Sequence, residues 1–96
     1  MTYYVIYRDE EKAKPAGIFV LDTASEAAVL WNHRQGSWTY NSELVARFLD
    51  DHRNLDRYEN VDRSTVEGLA VLVTGRELPE EAALLSMLER GSGRTQ

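Results

Sequence analysis

At Asn41 the hydrophobic pattern of this chain changes period, and that change constrains the fold more than any single residue does. Before it, the apolar runs are short, aromatic and β-branched, and polar or glycine-containing turns separate them, which is strand patterning. After it, apolar residues recur three and four positions apart, which is helical patterning. Strands followed by helices argue for an α+β fold, a small antiparallel sheet of N-terminal strands packed against about three C-terminal helices. A chain of 96 residues has room for one core, so a single domain over 1–91 is expected, with 92–96 as a disordered tail.

In the strand half, Tyr3, Val5 and Tyr7 alternate with Tyr4, Ile6 and Arg8. Neither set is cleanly polar, so this strand is expected to be central or covered on both faces. The charged stretch Asp9 to Pro15 reads as an exposed connection, and Gly17 to Leu21 as the hairpin partner of the first strand. Ser25 to Asn32 reads two ways: as a short helix capped by Ser25, or as a strand running from Ala27 to His33. The turn Arg34-Gln35-Gly36 and the run Ser37-Trp38-Thr39-Tyr40 favour the second, a hairpin in which Trp31 and Trp38 pack across strands.

In the helical half, Asn41 or Ser42 N-caps a helix whose stripe is Leu44, Val45, Phe48 and Leu49. The polar run Asp50 to Asn54 ends it, and Tyr58 to Val61 is a short strand or an extended connection. Asp62 or Ser64 starts the next helix, with Ser64 and Glu67 spaced as a capping box. Its stripe is Val66, Leu69, Ala70 and Val73, and Gly75 suits the left-handed position after the helix. Gly68 beside that stripe is expected to admit a neighbouring backbone. Pro79 in a first turn, then Glu80 and Glu81, opens a last helix. That helix is expected to bury Ala82, Leu85 and Leu88 with Leu84 or Met87, and to stop at Gly91.

Composition then limits function. Apolar residues at 43% and charged residues at 28% are ordinary globular values, which excludes a wholly disordered chain. With no cysteine, disulfides, thiolate nucleophiles and cysteine-rich zinc sites are excluded. The longest apolar runs are about five residues, against roughly 20 for a membrane helix, and Met1 to Arg8 lacks the features of a signal peptide. A cytoplasmic protein is expected. Eleven basic against sixteen acidic residues give a net charge of −5. Phosphate backbones and anionic membranes repel such a surface on average, and a basic protein surface complements it.

No constellation of residues points to a reaction. Asp50, Asp51 and His52, with Asp56 and Glu59, form the densest polar group, but successive helical residues point about 100° apart. Arg53 and Arg57 compete for the same acids, so a solvated helix end is the expectation and neither metal nor cofactor is implied. His33 lies near Ser37 without an orienting third group or a Gly-x-Ser-x-Gly elbow, so no catalytic residue is assigned. The final two helices invite comparison with a helix-turn-helix, but Glu80 and Glu81 stand where a recognition helix meets phosphates.

What remains distinctive is the aromatic group Tyr3, Tyr4, Tyr7, Trp31, Trp38 and Tyr40. Large rigid rings with polar tips anchor protein interfaces, and carboxylates around them steer a basic partner. The reading is therefore a non-enzymatic protein-binding module of the inhibitor, antitoxin or immunity type. Trp31, Trp38 and Tyr40 are its expected anchors, with Asp50 and Asp51 at the rim. A homodimer through an unprotected sheet edge is compatible with this reading. The alternative is a small ligand-binding domain or enzyme using His33 or His52 in a sheet–helix cleft. A nucleic-acid-associated protein using clustered Arg residues comes third.

Overall fold

The computed structural model describes residues 1–8 and 14–91. Five strands, β1 (Thr2–Tyr7), β2 (Pro15–Asp22), β3 (Ala27–Asn32), β4 (Ser37–Tyr40) and β5 (Tyr58–Val61), form one sheet. All neighbouring strands are antiparallel, in the order β4-β3-β2-β1-β5. β1 is an interior strand, paired with β2 and β5 and covered on both faces, as its two apolar sides lead one to expect. Ala27–Asn32 is strand, and Trp31 faces Trp38 across β3 and β4 with ring centroids 5.7 Å apart. Tyr58–Val61 pairs with the outer side of β1, Ile6 opposite Tyr58 and Tyr3 opposite Val61.

Alternation along the strands divides the core in two. Tyr3, Val5, Tyr7, Val20 and Val29 point towards α2 (Arg63–Thr74) and α3 (Glu81–Gly91), meeting Val66, Ala70, Leu84 and Leu88. Tyr4, Ile6, Phe19, Ala28 and Leu30 point the other way, towards Val45, Phe48 and Leu49 of α1 (Ser42–Asp50). The result is an α+β fold with helices on both faces of the sheet. On the α1 face Tyr4 stacks on Phe19 at 4.7 Å, and Phe48 and Tyr58 close the cluster edge-on.

Local chemistry sets the helix ends. Asn41 Oδ1 accepts the Leu44 N–H at 3.0 Å and starts α1. Asp62 Oδ1 accepts the Thr65 N–H at 2.8 Å and starts α2. Asp62 is thus the cap, and Ser64 lies inside the helix, where the proposed capping box has no role. Gly75, at φ 77°, ends α2 in the left-handed conformation expected of it and donates its N–H to the Val71 carbonyl.

Three expectations are corrected. Gly68 admits no neighbour: a Cβ there meets nothing within 4 Å. The close approach is at Gly91 instead, where a Cβ would run into the Tyr40 ring. The last helix is rotated from its expected phase, burying Leu84 and Leu88 while Ala82 and Leu85 are exposed, and Pro79 precedes the helix instead of opening it. The Arg63 guanidinium anchors the approach to α3, holding the Pro79 carbonyl at 2.9 Å and the Tyr3 hydroxyl at 2.8 Å. The expected loop at 9–13 and the expected tail at 92–96 lie outside the described residues.

Candidate functional site

The turn between β2 and β3 is built by Asp22. Its Oδ1 accepts the Ala24 N–H at 3.1 Å and its Oδ2 the Ser25 hydroxyl at 2.8 Å, while its carbonyl accepts the Glu26 N–H at 2.7 Å. These bonds hold Glu26 at φ 61°, a left-handed conformation that a non-glycine side chain adopts at a cost. Next to this turn, the Ala28 N–H donates to Ser42 Oγ at 3.0 Å and the Asn41 N–H to the Ala28 carbonyl at 3.0 Å. The start of α1 is thereby tied to the strand that leaves the turn.

Between turn and helix lies a cleft of about 250 Å³. Leu21, Val45 and Leu49 give it apolar walls, and Glu26 and Asp50 are its two carboxylates. Neither acid makes an ion pair among the described residues. The arrangement suits a long cationic side chain, whose aliphatic stem would lie on the apolar wall while its head meets the carboxylates.

Asp51, next in the chain, is committed elsewhere. Its side chain accepts from Arg53 Nε at 3.0 Å, from Arg53 Nη2 at 2.8 Å and from the Arg53 N–H at 3.0 Å. The Arg53 guanidinium, helped by that backbone bond, holds the Asp51 carboxyl down at about 2. The acid caps the 3₁₀ turn His52–Arg57 and is spent on local structure.

The five residues expected to make one surface do not meet. Trp31, Trp38 and Tyr40 have the strand parity of Val29 and lie on the α2/α3 side of the sheet. Trp31 is only 8% exposed, and Trp38 and Tyr40 are half-buried against the core. Asp50 and Asp51 end α1, on the other face. The chain crosses between faces at Asn41, directly after Tyr40. Sequence carried a signal for this: Ala28 and Leu30 form an apolar face of β3 opposite Trp31, and the first helix after the sheet is its natural cover.

The histidines are also apart. His52 is exposed on its 3₁₀ turn. His33 follows β3, its ring edge-on to Trp31 at 6.5 Å and its Nε2 2.7 Å from the Ala16 carbonyl. A carbonyl only accepts, so Nε2 carries the proton. His33 borders a second cleft, of about 530 Å³, with Arg8, Lys14, Pro15, Leu72 and Val73. Among the described residues no carboxylate lines it. Among the described residues no group of three His, Asp or Glu is placed to hold a metal ion, and no helix is long and apolar enough to cross a membrane. Comparison with protein-family models, with curated proteins and with solved structures finds no match.

Proposed function

We propose that this domain is a protein-binding module of the inhibitor, antitoxin or immunity type, directed at a partner with a basic surface. The observation that supports it is the cleft in which Glu26 and Asp50 flank an apolar wall and make no ion pair among the described residues. A Lys or Arg of the partner is the complement in charge and shape, and the net charge of −5 assists its approach. Glu26 takes the place of Asp51 at the rim, and Leu21, Val45 and Leu49 take the place of the indoles. The exposed ladder of the short edge strand β4 offers a second, self-associating contact.

Paired baits test this reading: the wild-type chain and the Glu26→Gln/Asp50→Asn variant, with each captured protein purified and retitrated by calorimetry at two salt concentrations. A basic partner should lose at least about tenfold in affinity to the double variant, a charge-assisted contact being worth about 1.5–3 kcal/mol. Trp38→Ala, on the other face, should leave that affinity unchanged. The opposite pattern would move the interface to the indoles.

A further inference from the structure

The cleft at His33 has a chemistry that the net charge conceals. Arg8 and Lys14 stand where β1 ends and β2 begins, their backbones joined by the Arg8 N–H to the Lys14 carbonyl at 3.2 Å. The Arg8 carbonyl also accepts from Arg57 Nη2 at 3.1 Å, which steadies this end of β1 from the side of β5. Neither Arg8 nor Lys14 makes an ion pair among the described residues. His33 is pinned across the same space by its bond to Ala16, so its Nδ1 is not used in that bond. The remaining wall is apolar: Pro15, Val73 and Leu72, the last 76% exposed on the final turn of α2.

We propose that this cleft binds a small organic phosphate monoester. The proposal is independent of the reading of the Glu26–Asp50 cleft. Two permanent cations match the near-double charge of a phosphate monoester, and a guanidinium and an ammonium offer donors to its terminal oxygens. A carboxylate would leave one cation unmatched. The organic group of the ester covers Leu72, which otherwise faces water, beside the half-buried Val73. The C-terminus of α2 opposes an anion here with about half an elementary charge, against two full positive charges from Arg8 and Lys14.

The test titrates the full chain, at low salt, with phenyl phosphate, inorganic phosphate and benzoate, followed by amide and imidazole NMR shifts. Phenyl phosphate should bind most tightly and shift the signals of Arg8, Ala16, His33 and Leu72. Arg8→Gln should weaken it about tenfold or more. Leu72→Ser, at an exposed position that leaves the fold intact, should remove most of its advantage over inorganic phosphate. Benzoate binding as tightly as phenyl phosphate would overturn the phosphate assignment, and inorganic phosphate doing so would overturn the role of the apolar wall. The sequence between Arg8 and Lys14 includes Asp9, Glu10 and Glu11, so their amide variant is titrated as well. Binding confined to that variant, or shifts absent from this cleft in every form, would overturn the proposal.

Discussion

Among the described residues, the two ends of the sheet gather different charged side chains on one scaffold. Where β1 ends and β2 begins, Arg8 and Lys14 are joined by His33 and Arg34 after β3 and by Arg57 before β5. Where β2 ends and β3 begins, Asp22 and Glu26 are joined by Asp62 after β5. The eight residues of β2 span roughly 25 Å, well beyond a Debye length of about 8 Å at physiological salt. A ligand at one end is therefore screened from the other. Net charge is a property of the sum: it steers a partner at a distance, while the contact made in each cleft is set by the charges at its own end.

The largest expected effect breaks the comparison by removing the frame that keeps the ends apart. Phe19 is 1% exposed, stacked on Tyr4 and edge-on to Phe48. Phe19→Ala should cost about 3–5 kcal/mol, read as a fall in the denaturant midpoint. A small single domain is expected to unfold as a unit, so both clefts should be lost together. Binding at one cleft that persisted while the other vanished would show that the two ends are held by separate cooperative units.

Arg63 comes next, and it sharpens the contrast because it is a cation at the acidic end. Its fork reaches the Tyr3 hydroxyl, the Pro79 carbonyl and Glu67, which joins β1, the start of α2 and the approach to α3. Arg63→Ala should cost about 2 kcal/mol. Arg63→Lys should recover little of that, since an ammonium cannot span the same acceptors. Thermal unfolding of the two variants checks this. Full rescue by Lys would make the residue a point charge for its end of the sheet.

How much of this was legible in the sequence depends on the range of the interaction. The strands, the α1 cap at Asn41, the left-handed Gly75 and the doubly apolar β1 follow from residues close in the chain, where pattern and backbone preference act. The phase of α3 was not legible, because the core that Leu84 and Leu88 enter is built from β1, β2, β3 and α2, outside the helix's own pattern. The assumed surface failed for a similar reason. Aromatic residues close in sequence were read as close to Asp50 in space, but strand parity sends Trp31, Trp38 and Tyr40 to one face while the crossing at Asn41 takes α1 to the other. Glu26 gave no signal at all, since its place depends on a turn conformation that most sequences assign to glycine.

That conformation provides the third prediction, one that separates structural from binding value. Glu26→Gly should stabilise the fold by about 0.5–1 kcal/mol by relieving the left-handed backbone, while removing one carboxylate from the acidic cleft. A more stable variant with weakened partner binding is the expected pair of outcomes, measured by denaturant melts and calorimetry. If stability rose and binding held, Glu26 would have no part in recognition and Asp50 would stand alone.

The smallest effect concerns two adjacent acids with different roles. Asp50 faces the cleft, whereas Asp51 is bonded to Arg53 and held at about 2, below its ordinary 3.8. A carboxyl whose folded value is lowered favours folding while it is charged. Its contribution is therefore complete above the ordinary value and is lost as pH falls from there towards about 2. Asp51 faces solvent, so water and salt screen the pair and the change in stability across this window should be small. The titration midpoint is the sharper measurement, followed by carboxyl NMR. Arg53→Ala should raise the Asp51 midpoint most of the way to ordinary, leaving the part due to the backbone N–H of residue 53, which remains. An unmoved midpoint would mean that the guanidinium contributes nothing and that Asp51 is free to turn towards a partner beside Asp50.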